Sequence, residues 1–173
     1  MKKSKATARY GAAVAVALAI ATVTSKTEAK VLGPDAAACN SGSGLPAVLA
    51  RVYGFKARTG ELRVQAYGAD PSEFLAKGKW IRRVDLPVSP AGHMDICLRV
   101  PMPGTYAIAV RHDVDGNGKS GWNDGGGFSR NPPLSLLKLK PRHKDVAIEV
   151  GSEPQSLVIV LNYRKGLSVG PMR

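Results

Sequence analysis

The chain of 173 residues is short of cysteine, histidine, aromatic side chains and acidic charge, and each shortage removes a class of function. Two cysteines, Cys39 and Cys97, leave no Cys-x-x-Cys pair and hence no dithiol redox centre. The histidines are His93, His112 and His143. Only His112 has a ligand-type neighbour, Asp113, and a single histidine at a strand end is more often structural than a transition-metal ligand. No Gly-x-Ser-x-Gly elbow or other nucleophile signature is present, so a Ser-His-Asp hydrolase has no support. The one cluster of acids, Asp113, Asp115 and Asp124, lies in a calcium-like loop, and paired carboxylates for glycoside hydrolysis have no support. The chain therefore reads as non-enzymatic.

Acidic charge is scarce: 13 Asp and Glu face 25 Lys and Arg, a net charge of +12. Such a surface attracts polyanions. The cations are nevertheless spread along the chain, and no recognition motif accompanies them, so nucleic acid is not an expected partner.

Long apolar runs are lacking except at the start. Lys2, Lys3, Lys5 and Arg9 precede the apolar stretch Gly11 to Val23, and small residues follow as far as Ala29. This is the pattern of a signal peptide over 1–29, too short to cross a ~30 Å hydrocarbon core comfortably. The mature protein is then periplasmic or secreted, has no transmembrane segment, and carries a net charge of about +8. In an oxidising compartment Cys39 and Cys97 join in one structural disulfide.

The mature part begins with an Ala-, Gly- and Ser-rich segment, 30–47, which reads as a linker pinned by Cys39. From 48 to 163 short alternating runs separated by Gly, Pro, Asn and Asp predict an all-β domain. About seven antiparallel strands, packed as an immunoglobulin-like or transthyretin-like sandwich, account for that length. The first two, Val48 to Phe55 and Glu61 to Gly68, read as a hairpin. Residues 69–78, ADPSEFLAKG, read as one short helix with Asp70 as N-cap and Glu73 completing a capping box. Its Phe74 and Leu75 are expected to cover an open end of the core. The expected inner face holds Val64, Ile96, Leu98, Tyr106, Ile108, Val110, Ile148, Leu157, Ile159 and Leu161. Cys97, between Ile96 and Leu98, should point outward, strapping the N-terminal segment across the outside of a sheet. Residues 164–173 are left as a C-terminal tail.

One stretch carries recognisable chemistry. In HDVDGNGKSGWND, residues 112–124, Asp113, Asp115, Asn117 and Gly118 fall at positions 1, 3, 5 and 6 of an EF-type calcium loop. Lys119 supplies a backbone carbonyl at position 7, Gly121 a bridging water at position 9, and Asp124 a carboxylate at position 12 where the pattern has Glu. Calcium is the cofactor these residues suggest. The competing reading is a turn, because Asn-Gly and Asp-Gly pairs also serve hairpins. A long excursion follows, Gly121 to Lys144, in which Trp122 and Phe128 mark either a fold-back or a ligand-binding wall.

The run GTYAIAVRHDVDGNGKSGWNDGGGFSRNPP, with Gly127, Phe128, Ser129 and Asn131 in its Gly-Phe-Ser-x-Asn part and a terminal LVIVLNY, resembles the bacterial exported family DUF2141. The resemblance covers about Val48 to Tyr163. It implies an exported β-sandwich and no particular activity. Two roles follow as expectations: a binding or structural module of the envelope or cell surface ordered by calcium, or a carrier or sensor that holds a small ligand or peptide on the 121–144 loop.

Overall fold

Along Glu61–Tyr67 alternate side chains, Leu62, Val64 and Ala66, are buried while Glu61, Arg63 and Gln65 are turned out, which is the two-residue period of a strand. The computed structural model describes residues 30–172, so the expected leader lies outside the described residues. In chain order the strands are β1 (Val31–Leu32), β2 (Ala47–Tyr53), β3 (Glu61–Tyr67), β4 (Arg82–Pro87), β5 (Met94–Arg99), β6 (Gly104–Asp113) and β7 (Gly125–Phe128). A short helix α1 (His143–Val146) then precedes β8 (Ala147–Val150), β9 (Gln155–Val160), β10 (Asn162–Lys165) and β11 (Ser168–Pro171).

The strands form two sheets. One is four-stranded, in the order β1-β5-β2-β9; the other is seven-stranded, β11-β10-β7-β6-β3-β4, with β8 also paired to β6. The all-β sandwich is as expected, and so is its inner face. Val64, Ile96, Leu98, Tyr106, Ile108, Val110, Ile159 and Leu161 are buried in one core, with Ile148 and Leu157 packed against it. The smaller sheet is mixed, because β1 runs parallel to β5 and β2 parallel to β9.

Several expectations need correction. β2 and β3 do not form a hairpin: β2 pairs with β5 and β9, and β3 with β4 and β6. β2 is buried on both faces over Ala47–Ala50, with Val48 and Ala50 in the core between the sheets and Ala47 under the N-terminal segment at Ala38, as suits a strand inside a sheet covered on both sides. The chain also changes sheets at Leu161, whose N–H donates to the Tyr53 carbonyl, so LVIVLNY is two strands. Residues 164–173 are more than a tail, since β10 and β11 pair from Asn162↔Pro171 to Lys165↔Ser168.

Residues 69–78 are turns without a helix. Asp70 Oδ1 accepts from the Ser72 N–H at 2.8 Å, but Glu73 turns away to Lys79, and Leu75 adopts φ 60°. A single turn of helix is marginal in water. Here the apolar pull of the outer sheet face prevails: Phe74 packs edge-on against Tyr67, Phe128 and His143. Phe74 and Leu75 thus cover a second, outer cluster rather than the end of the core.

The segment read as a linker is tied down along its length. Val31–Leu32 pair with β5, Ala36–Cys39 form a 3-10 turn, and Cys39 is bonded to Cys97. Cys97 faces away from the main core, in a small cluster with Ala38 and Ala47, so the strap lies across the outside of the smaller sheet as its alternation predicts. Asp35 adds a second clasp. It takes two hydrogen bonds from Arg82 on β4, at 2.6 and 2.5 Å, and one from the Arg99 N–H on β5, at 3.1 Å.

Candidate metal centre and the adjoining cavity

β6 carries Asp113 to the end of the larger sheet, where it is 1% exposed. The turn that follows is built on its carboxylate: the Asn117 N–H donates to Oδ1 at 3.2 Å and the Gly118 N–H to Oδ2 at 2.8 Å. Gly116 and Gly118 allow this at φ 66° and 77°. Asp115 accepts from Asn117 Nδ2 at 2.6 Å, and Asn117 Oδ1 accepts from the Lys119 N–H at 2.7 Å. Asp124 closes the loop, accepting from the Val114 N–H at 3.1 Å and the Gly121 N–H at 2.6 Å. Beneath it lies Gly60, where a Cβ would stand 1.9 Å from the Asp113 carbonyl oxygen, so no other residue fits.

Asp113, Asp115 and Asp124 each bring a carboxylate oxygen within 4.8 Å of the others. Three hard, anionic oxygens so close repel one another unless cations or N–H donors intervene, and they suit calcium far better than a soft metal. One guanidinium does intervene: Arg111 Nη2 is 3.0 Å from Asp113 Oδ2. Asn117 lies inside the loop with its side chain engaged, and Lys119 and Gly121 can contribute through the backbone alone.

His112 is not a ligand. It is fully buried on the inner face; Nδ1 lies 2.6 Å from Tyr163 Oη and Nε2 2.9 Å from the Thr59 carbonyl. Burial holds this imidazole below its usual value, against the opposing pull of the Thr59 carbonyl, Asp124 and Asp113. A neutral ring donating from Nε2 to Thr59 and accepting the Tyr163 hydroxyl proton at Nδ1 satisfies both contacts. Tyr163 Oη also accepts the Lys56 N–H at 3.2 Å, and burial pushes its pKa to about 12.

The 121–144 excursion is shorter in effect than its length suggests, because β7 occupies part of its first third and pairs with both β6 and β10. Two of its three glycines make that insertion possible. A Cβ at Gly125 would meet the Tyr163 ring at 2.3 Å, and one at Gly127 would meet Ile159 at 2.7 Å; both face the core. Gly126 faces outward, with only the Val110 carbonyl oxygen near, at 3.8 Å. Ser129 and Asn131 then anchor the chain. Ser129 is fully buried and its hydroxyl donates to the Val146 carbonyl at 2.5 Å, while the Asn131 amide bonds Val158 O and Val160 N at 2.8 Å each.

Trp122 and Phe128 do not form one wall. Trp122 is 68% exposed with Arg164 stacked on it at 4.3 Å, whereas Phe128 is buried in the outer cluster. Phe128 does line a cavity of about 350 Å³ between the outer face of the larger sheet and the 134–140 segment. The lining includes Arg63, Arg111, Lys140 and Arg164, none of which was an expected ligand-binding residue. A signal was available: Arg63 and Arg111 occupy outward positions of neighbouring strands and face each other in register. The acidic loop forms the end wall through Ser120, Gly121 and Asp124.

The fold and site define an all-β sandwich that presents an acidic turn and a basic cavity from one sheet. Over residues 50–157 the chain matches the family model described as "Uncharacterized protein conserved in bacteria (DUF2141)", and it belongs to that family. No curated protein and no solved structure matches it.

Proposed function

We propose that the protein is an exported, non-enzymatic β-sandwich that serves as a binding or structural module of the cell envelope, with its 113–124 loop ordered by calcium. Convergence of Asp113, Asp115 and Asp124 within 4.8 Å, at the spacing of an EF-type loop, carries the metal part of this reading. The Cys39–Cys97 bond supports the extracytoplasmic part, since disulfides persist in oxidising compartments. Among the described residues no helix is long and apolar enough to cross a membrane.

Calorimetric titration of the chelator-treated protein tests the metal site. Saturable calcium binding in the range of about 10⁻⁴–10⁻³ M, abolished by Asp113→Ala with Asp115→Ala, is the expected result. An absence of heat across that range leaves the stretch as a turn and overturns the reading. Fractionation of cells producing the full chain tests export, and retention in the cytoplasm would refute it.

The cavity favours a second role on the same scaffold, that of a small-ligand carrier or sensor. Its volume lies at the lower end of small-molecule sites, and Phe128 and the 134–140 segment are part of its wall.

A further inference from the structure

A sheet surface that places two arginines directly opposite each other incurs a repulsion that ordinary packing avoids. Arg63 on β3 and Arg111 on β6 are such a pair, and both line the cavity. Their compensation is incomplete. Arg63 Nε pairs with Asp85 at 2.6 Å and Arg111 Nη2 with Asp113 at 3.0 Å, but Arg111 Nε is buried with no acceptor among the described residues. A buried donor left unpaired is costly, and a guanidinium whose hydrogen bonding is incomplete gains from an anion placed beside it. Lys140 and Arg164 add two cations to the lining, and neither has a carboxylate within salt-bridge distance among the described residues. Asp124 is the acid on the wall, and its two oxygens already accept the Val114 and Gly121 N–H groups.

Much of the remaining lining is apolar. Leu75, Tyr67, Phe128, Leu134 and Leu139 form that part, Gln65, Ser120 and Asn162 add neutral polar groups, and the floor at Gly126 is bare of side chain. A wholly polar anion would leave this surface unused, and a neutral apolar molecule would leave the guanidiniums unpaired. About 350 Å³ accommodates one short chain or ring system and excludes a two-chain lipid. We infer that the cavity binds a small organic carboxylate with an apolar body, its head on Arg111 and Arg63 and its body against Phe128 and Leu134. This inference rests on the ligand-binding reading of the scaffold and does not require the calcium reading.

The test is calorimetry of the full mature protein with octanoate, octanol and octyltrimethylammonium, first in chelator and then in calcium. Octanoate should bind saturably in chelator, at least about tenfold tighter than either comparator. Gly126→Val adds side chain to the floor where a Cβ has room, so it should keep the wild-type melting temperature and lose octanoate binding. Arg111→Gln should weaken octanoate by about tenfold and leave octanol unchanged. Equal affinity for octanoate and octanol, binding that survives Gly126→Val in a folded protein, or no octanoate binding would each overturn the inference. Failure of calcium binding with octanoate binding intact would refute the metal reading alone.

Discussion

Arg111 and Asp113 sit two residues apart on the outward face of β6, joined Nη2 to Oδ2 at 3.0 Å, and they belong to different sites. Arg111 lines the basic cavity; Asp113 begins the acidic loop. A calcium ion bound by Asp113 competes with the guanidinium for the same carboxylate, so each site alters the other's charge balance. Arg111→Gln should therefore tighten calcium by about tenfold while weakening an anion in the cavity. Linkage makes the effect mutual: calcium should raise octanoate affinity in the wild type by the factor by which octanoate raises calcium affinity. Paired titrations, each ligand with and without the other, check the equality.

The Cys39–Cys97 bond closes a loop across a separation of 58 residues and holds the N-terminal segment on the smaller sheet. In the chain-entropy picture a loop of that size stabilises the fold by about 4 kcal/mol. Cys39→Ala with Cys97→Ala should lower the unfolding free energy by about 2–4 kcal/mol in urea denaturation, because the Asp35–Arg82 clasp and the β1 pairing remain. A loss below about 0.5 kcal/mol would mean that those contacts alone hold the strap.

The glycine run 125–127 separates packing from function within three residues. Gly125→Ala drives a methyl into the Tyr163 ring and should destabilise by about 1–3 kcal/mol, and Gly127→Ala should do the same against Ile159 and the Val160 carbonyl. Gly126→Ala, one position over and outward, should stay within about 0.5 kcal/mol of wild type. Urea curves of the three variants decide it, and equal losses would contradict the in-out-in arrangement.

The core was legible in the sequence because strand alternation is local, and Val64, Ile108 and Leu161 declare their face through their neighbours. The convergence of the acidic loop was legible for the same reason, as its carboxylates lie within twelve positions of one another. Pairing was not. Nothing near Tyr53 or Glu61 says that the chain crosses between sheets there, and the parallel β2–β9 contact joins residues about a hundred positions apart. The cavity was hidden likewise. Arg63 and Arg111 look like scattered surface charge until register sets them opposite each other, and Gly126 reads as a turn residue until β7 is seen as a strand. Residues 69–78 mislead in the other direction: the capping pattern is present, but Phe74 gains more by packing on Tyr67 and Phe128 than a single helical turn offers.

Tyr163 predicts how the fold responds to alkali. Its hydroxyl is buried beneath the acidic loop, donating to His112 and accepting from the Lys56 N–H, and burial raises its pKa from 10.0 to about 12. A raised acid keeps its proton longer in the folded chain than in the unfolded one. The stability it contributes is therefore fully present below pH 10.0 and is lost as pH climbs from there through about 12. Burial raises the Tyr67 phenol as well, so the comparison must be with Tyr163→Phe. That variant leaves His112 Nδ1 and the Lys56 N–H without their partner, which should cost about 1–3 kcal/mol at neutral pH. Above pH 10.0 its stability should then fall less steeply than the wild type's, so that the two urea midpoints converge. Parallel slopes at a constant offset would show that the hydroxyl acts through packing alone.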